Sequence, residues 1–128
     1  MAGELILIVE DNERILKLLR DLLGVHGYRV LEARSAEEAL VLARRERPQL
    51  VMMDIQLPGM DGLAALRELR ATPETRATPV VAVTAFAMND DRERLLAAGF
   101  DGYLEKPVNV RELPSHIRSY IARSAIGV

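Results

Sequence analysis

The sequence contains no cysteine, and this removes disulfides, thiolate metal sites and cysteine nucleophiles in one step, together with any thiol clue to compartment. It also lacks an excess of positive charge: 19 acids face 17 Lys plus Arg, leaving a net charge of −2. That balance supplies no positive field for nucleic acid. No apolar run approaches the ~20 residues needed to cross a bilayer as a helix. The opening Met1-Ala2-Gly3-Glu4 has neither the basic region nor the long apolar stretch of a signal peptide. What remains is a chain of 128 residues, 49% hydrophobic and 28% charged, enough for one soluble domain with a real core. The expectation is a single cytoplasmic domain, with no membrane and no direct nucleic-acid partner.

Short apolar runs alternate with longer segments of helical period. Leu5 to Val9, Leu50 to Met53 and Val80 to Val83 are apolar on both faces and too short for helices, as in strands covered on both sides. Tyr28 to Ala33 is more mixed and suits an edge strand, and Gly102-Tyr103-Leu104 supplies a fifth. Between them, Ile15, Leu18, Leu19, Leu22 and Leu23 form an apolar stripe that ends at Gly24 and Gly27. Ser35 with Glu38 reads as a capping box opening Ala36 to Arg47, which Pro48 closes. Asp61 can cap Gly62 to Arg70, and Asn89 to Ala98 stops at Gly99. Asn109 with Glu112 resembles another capping box before Leu113, Ile117 and Ile121. Pro114 then falls about a turn inside the last helix, so the helix starts later or is kinked there. Five β–α units with no internal repeat predict an α/β domain. The expected fold is a doubly wound, five-stranded parallel sheet of order 2-1-3-4-5 with helices on both faces.

Ligands of such sheets bind at the carboxyl ends of the strands, where the strand order reverses. Those ends carry Glu10-Asp11, Asp54, Thr84 and Lys106. Three carboxylates on one rim repel, and a hard cation such as magnesium relieves them through oxygen ligands. Lys106 is one of two lysines against fifteen arginines, a point charge on a flexible stem beside a partner that changes. Thr84 can donate to an oxyanion. A metal, an ammonium and a hydroxyl around one carboxylate are the parts needed to phosphorylate it, with Asp54 as the nucleophile. Each residue also has a plainer reading. Asp11 or Asn12 could cap the first helix, Asp54 could support a turn through Pro58-Gly59, and Lys106-Pro107 could be an ordinary loop. It is the coincidence of all of them at the strand ends that carries weight.

The stretches Leu7-Ile8-Val9-Glu10-Asp11-Asn12, Met53-Asp54 through Asp61-Gly62, Val83-Thr84-Ala85 and Lys106-Pro107 resemble the receiver domain of bacterial two-component response regulators. The resemblance to this CheY-like (flavodoxin-like) family runs from about Glu4 to Arg123, and is strongest to its single-domain members. It implies one receiver domain over 1–128, with Asp54 as phosphoacceptor from a histidine kinase or a histidine phosphotransfer protein. Asp11, Asp54 and the backbone carbonyl of Gln56 would bind Mg2+ directly, and Glu10 would act mostly through a bound water. Lys106 would pair with Asp54 at rest and with a phosphoryl oxygen afterwards, while Thr84 turns toward another such oxygen. Ala85 would leave room for phosphate access, and the Lys106–Pro107 bond would be cis. Tyr103 matches the aromatic switch that turns inward when Thr84 moves, reshaping a protein-binding face. The plainer alternative is that Tyr103 packs with its hydroxyl wet. Gln56 and Phe86 hold positions that tune water attack, and an apolar Phe86 predicts slow autodephosphorylation.

The output expected is contact with a downstream protein target or phosphate passage through a relay, by a monomer or a phosphorylation-dependent dimer. No output domain follows the last helix, which disfavours an intrinsic transcription factor. The expectation is no enzyme beyond self-phosphorylation and autodephosphorylation at Asp54. A metal-dependent aspartyl phosphohydrolase would want a second carboxylate where Gln56 stands. A flavin carrier would want a phosphate-cradling loop where Glu10-Asp11-Asn12-Glu13 stands. A degenerate, constitutively binding receiver fold is the remaining alternative, against which the intact acidic set argues. His26 and His116 lie far apart and read as surface or capping residues.

Overall fold

The computed structural model describes residues 3–57, 59–84 and 89–126. Elements alternate in strict order: β1 (Leu5–Val9), α1 (Glu13–Val25), β2 (Arg29–Ala33), α2 (Ala36–Glu46), β3 (Leu50–Asp54), α3 (Gly62–Ala71), β4 (Val80–Thr84), α4 (Asn89–Ala98), β5 (Gly102–Glu105) and α5 (Leu113–Ile126). The strands form one parallel sheet ordered β2-β1-β3-β4-β5, as the β–α alternation predicts. The order reverses between β1 and β3, which puts the ends of these two strands at the switch point.

Period-two alternation along the inner strands divides the core in two. Leu7, Val9, Val51, Met53, Val80 and Ala82 face the side covered by α2 and α3, with Leu95 of α4 and Phe100. Ile6, Ile8, Leu50, Met52, Val81 and Val83 face α1 and α5. Both faces being covered explains why β1, β3 and β4 are unbroken apolar runs. Edge strand β2 is only partly buried, in keeping with its mixed sequence.

Three helix starts follow the expected chemistry. Asn12 accepts from the amides of Arg14 and Ile15, Ser35 from Glu38, and Asp61 from Ala64. Glu38 in turn accepts from the Arg34 amide at 2.8 Å. Gly99, at φ 114°, ends α4 in the left-handed region that glycine alone enters freely.

One reading needs correction, and one open choice closes. The buried stripe of α1 is Leu16, Leu19 and Leu23, whereas Leu18 is 54% exposed. Asn109 does cap, accepting from the amides of Arg111 and Glu112, but the turn it caps precedes α5. The helix starts at Leu113, so Pro114 is its second residue, where no intrahelical donor is lost.

Candidate phosphoacceptor site

The polar residues picked from the strand ends converge. Asp54 is the last residue of β3 and Thr84 the last of β4, while Glu10 follows β1 directly and Lys106 follows β5. Parallel strands of matched length put these ends on one rim. A bond from the Lys106 amide to the Thr84 carbonyl, 2.8 Å, ties the last two together. Glu10 is held by its own amide, which donates to Ala33 of β2 at 2.9 Å.

Lys106 bridges two carboxylates, its Nζ lying 2.9 Å from Asp54 Oδ2 and 3.1 Å from Glu10 Oε1. The remaining oxygens take backbone donors. The Gln56 amide donates to Asp54 Oδ1 at 2.9 Å and the Asn12 amide to Glu10 Oε2 at 3.1 Å. Glu10, Asp54 and Thr84 are buried, with 3%, 4% and 4% of their surface exposed. Asp11 and Gln56 lie exposed at the mouth. Because Asn12 caps α1, Asp11 is left over for the rim, which removes its plainer reading.

Electrostatics at the rim are unbalanced. Burial, together with the charge of Asp54, pushes the Glu10 carboxyl above its ordinary range against the opposing Asn12 amide and Lys106. Burial also works against a charged Lys106, but the hydrogen bonds and charges of Asp54 and Glu10 outweigh it and hold the ammonium above its usual value. Three carboxylates thus gather around one ammonium that pairs with two of them, Glu10 and Asp54. Carboxylate oxygens of Glu10, Asp11 and Asp54 lie within 4.8 Å of one another, an all-oxygen donor set suited to a hard cation such as Mg2+.

The backbone around Asp54 is tightly fitted. A Cβ on Gly62 would sit 3.0 Å from the Asp54 carbonyl oxygen and 3.0 Å from the Ile55 Cα, so only glycine lets α3 begin there without displacing the end of β3. From the sequence Gly62 is a helix start and the last residue of the Asp54 motif, with no reason given for its lack of a side chain. Gly59, at φ 78°, has the left-handed backbone of the expected turn, but Pro58 lies outside the described residues. The Lys106–Pro107 bond is cis.

Tyr103 of β5 is half-buried against the α2–α3–α4 side of the core, and the Arg92 guanidinium of α4 stands 5.4 Å from its ring centroid. Arg92 escaped the sequence reading, since no spacing rule brings a residue of α4 over a residue of β5. Ala85 and Phe86, read as opening phosphate access and as slowing water attack, lie outside the described residues. His26 is the C-cap of α1 and His116 lies in α5, neither near the rim residues in sequence or element.

Comparison with known proteins points the same way. The response regulator receiver domain family matches residues 6–118. The polar-differentiation response regulator DivK of Brucella anthropi is 47% identical over 116 residues, covering 91% of this chain and 94% of DivK. The receiver domain of the sensor histidine kinase PA1611 from Pseudomonas aeruginosa, whose crystal structure has a magnesium ion coordinated in the active site cleft, superposes with a TM-score of 0.86 at 39% identity, over 94% of this chain and 99% of that one. The chemotaxis protein CheY4 of Vibrio cholerae gives a TM-score of 0.85 at 27% identity, over 94% and 98%.

Proposed function

The chain belongs to the response regulator receiver domain family, and from that premise we propose that Asp54 is its phosphoacceptor in a two-component phosphorelay. The observation that carries this assignment is the Lys106 ammonium bridging Asp54 and Glu10 at 2.9 and 3.1 Å, beside a third carboxylate at the sheet's switch point. The donor is a phosphohistidine on a histidine kinase or a phosphotransfer protein. An Asp54 carboxylate oxygen forms the new O–P bond while the donor's N–P bond breaks and imidazole leaves. Receiver function is one domain over 1–128, in keeping with a family match that spans nearly all of it.

Asp11, Asp54 and the Gln56 carbonyl would hold Mg2+, with Glu10 acting through water, an assignment supported by the oxygen-only cluster and by the ion bound in PA1611. The ion supplies charge neutralisation for the incoming phosphoryl group. Lys106 already points at Asp54, so it needs only a small movement to reach a phosphoryl oxygen. Thr84 supplies a hydroxyl to another oxygen, and Tyr103 follows Thr84 inward. Ala85, small and next after Thr84 in the sequence, is assigned phosphate access on its residue type alone. Autodephosphorylation is water attack on phosphorus that restores the Asp54 carboxylate. These self-directed steps are the chain's only catalysis, and the output is binding of a downstream protein by a changed face.

The donor meets a ready surface. Ile15, Leu18 and Leu19 of α1 line an apolar groove with Pro107 and Val108, and Lys106 reaches from this groove to Asp54. Exposed Leu18 next to the acceptor rim gives a donor helix something to bury.

Phosphoramidate, which carries the N–P bond of a phosphohistidine in a small molecule, tests the assignment. After incubation with Mg2+, borohydride reduction of the acyl phosphate and peptide mapping should find homoserine at position 54. Homoserine elsewhere, or in Asp54→Asn, would overturn it.

A further inference from the structure

We propose that Arg92 is a positioning residue for Tyr103, its guanidinium holding the ring in its resting orientation through a cation–π contact; this rests on the reading of Tyr103 as the switch. The Arg92 Cζ lies 5.4 Å from the ring centroid, within the ~6 Å over which a ring face attracts a cation. Lys106 is on Asp54 in the same structure, so the contact belongs to the resting arrangement.

The contact joins the two elements that the switch must rearrange. Tyr103 is in β5, paired in register with Ala82 two residues before Thr84. Arg92 is in α4, three residues before Leu95, which is the buried hydrophobic residue of that helix among the described residues. One helical turn thus carries both the anchor to the core and the cation over the ring. A ring that turns toward the space left by Thr84 moves away from Arg92, which is anchored on the outer side of α4. A contact that is stronger in the resting state than in the switched one biases the equilibrium between them.

Its size sets what to expect. An exposed cation–π contact shifts a two-state equilibrium by about two- to fivefold. Arg92 is therefore a trim on the switch and not a lock. It sets how much of the resting chain already has Tyr103 inward, and phosphorylation overrides it. Arg92 and Tyr103 line one groove with Leu96, His116 and Tyr120, so any partner that buries this face must also accommodate or displace the guanidinium.

The test uses fluorine NMR of the full chain with 3-fluorotyrosine at its three tyrosines, assigned with Tyr28→Phe, Tyr103→Phe and Tyr120→Phe. Beryllofluoride with Mg2+, a phosphoryl mimic whose bound fluorines report occupancy, gives the switched endpoint. In resting Arg92→Gln the Tyr103 signal should move toward that endpoint, with the resting-to-switched ratio falling by about two- to fivefold. Arg92→Lys, which keeps a cation, should recover part of the shift. A Tyr103 signal in Arg92→Gln that matches wild type at both endpoints overturns the inference while leaving the switch intact. Equal shifts in Arg92→Gln and Arg92→Lys also overturn it, because packing and not charge would then be responsible. A wild-type Tyr103 signal that ignores bound beryllofluoride defeats the switch reading itself, and the inference with it.

Discussion

The two ends of the sheet use charge in opposite ways. At the amino end, Arg70 closes α3 onto its neighbours. Its guanidinium donates to the carbonyls of Arg76, Thr78 and Gly99 and to Asp101 Oδ2, at 2.6 to 3.1 Å. Asp101 Oδ2 also accepts from the Val80 amide. One cation meets one anion there, and each takes backbone partners as well. At the carboxyl end three carboxylates cluster while the Lys106 ammonium pairs with two of them, and Glu10 is held at a raised pKa by burial and by Asp54. The amino end is arranged to hold elements together. The carboxyl end keeps like charges close, an arrangement that suits the proposed cation and phosphoryl group.

That contrast can be broken at the stapled end first, where the largest stability effect is expected. Arg70→Ala removes four hydrogen bonds, one of them to a carboxylate. It should cost about 2–4 kcal/mol in urea unfolding, while the folded variant still takes up phosphoryl group at the wild-type level. Gly62→Ala tests the other end. The new Cβ meets backbone at 3.0 Å beside Asp54, so after the helix-propensity gain a net loss of about 1–2 kcal/mol is expected. Here phosphorylation should slow as well, because the displaced backbone is that of the acceptor.

The acid rim predicts an unusual pH dependence. A carboxyl whose folded pKa is raised binds its proton more tightly in the folded than in the unfolded chain. Its contribution is therefore greatest at low pH and is lost as pH rises from its ordinary value of 4.5 through the raised folded value. With metal chelated, urea unfolding of wild type and Glu10→Gln should diverge across that window, the variant lacking the decline. Glu13 and Asp21, whose pKa values are lowered chiefly by hydrogen bonds to Arg34 and Lys17, act in the opposite sense and at lower pH. A wild-type curve parallel to Glu10→Gln would mean that the rim carries no such strain.

The smallest stability effect belongs to Leu18→Ala. At 54% exposure it should change stability by less than about 0.5 kcal/mol and leave phosphorylation by small donors untouched. Transfer from a phosphohistidine-bearing protein should fall by about fivefold or more if Leu18 packs in the donor interface.

How much of this was legible beforehand differed by element. The buried strands β1, β3 and β4 were legible because two covered faces leave an unbroken apolar run, and Glu10, Asp54 and Thr84 because each ends such a run abruptly. Leucines at 16, 18, 19, 22 and 23 allow more than one stripe, and the phase of α1 depends on which of two polar residues caps it. Once Asn12 is the cap, Leu16 turns inward and Leu18 outward. The start of α5 stayed open between a later start and a kink at Pro114, because Asn109 caps a separate turn with the same side-chain chemistry, and the later start holds. The neighbours of the site, Gly62 behind Asp54 and Arg92 over Tyr103, depend on how helices cross the sheet, which no local spacing encodes.

The most direct test of the central claim is the intact mass of the chain after incubation with acetyl phosphate, with and without Mg2+, in wild type and Asp54→Asn. The account predicts one added phosphoryl group in wild type with Mg2+, and none when either the ion or Asp54 is missing. Addition to Asp54→Asn, or no addition to folded wild type with Mg2+ from either acetyl phosphate or phosphoramidate, would contradict it.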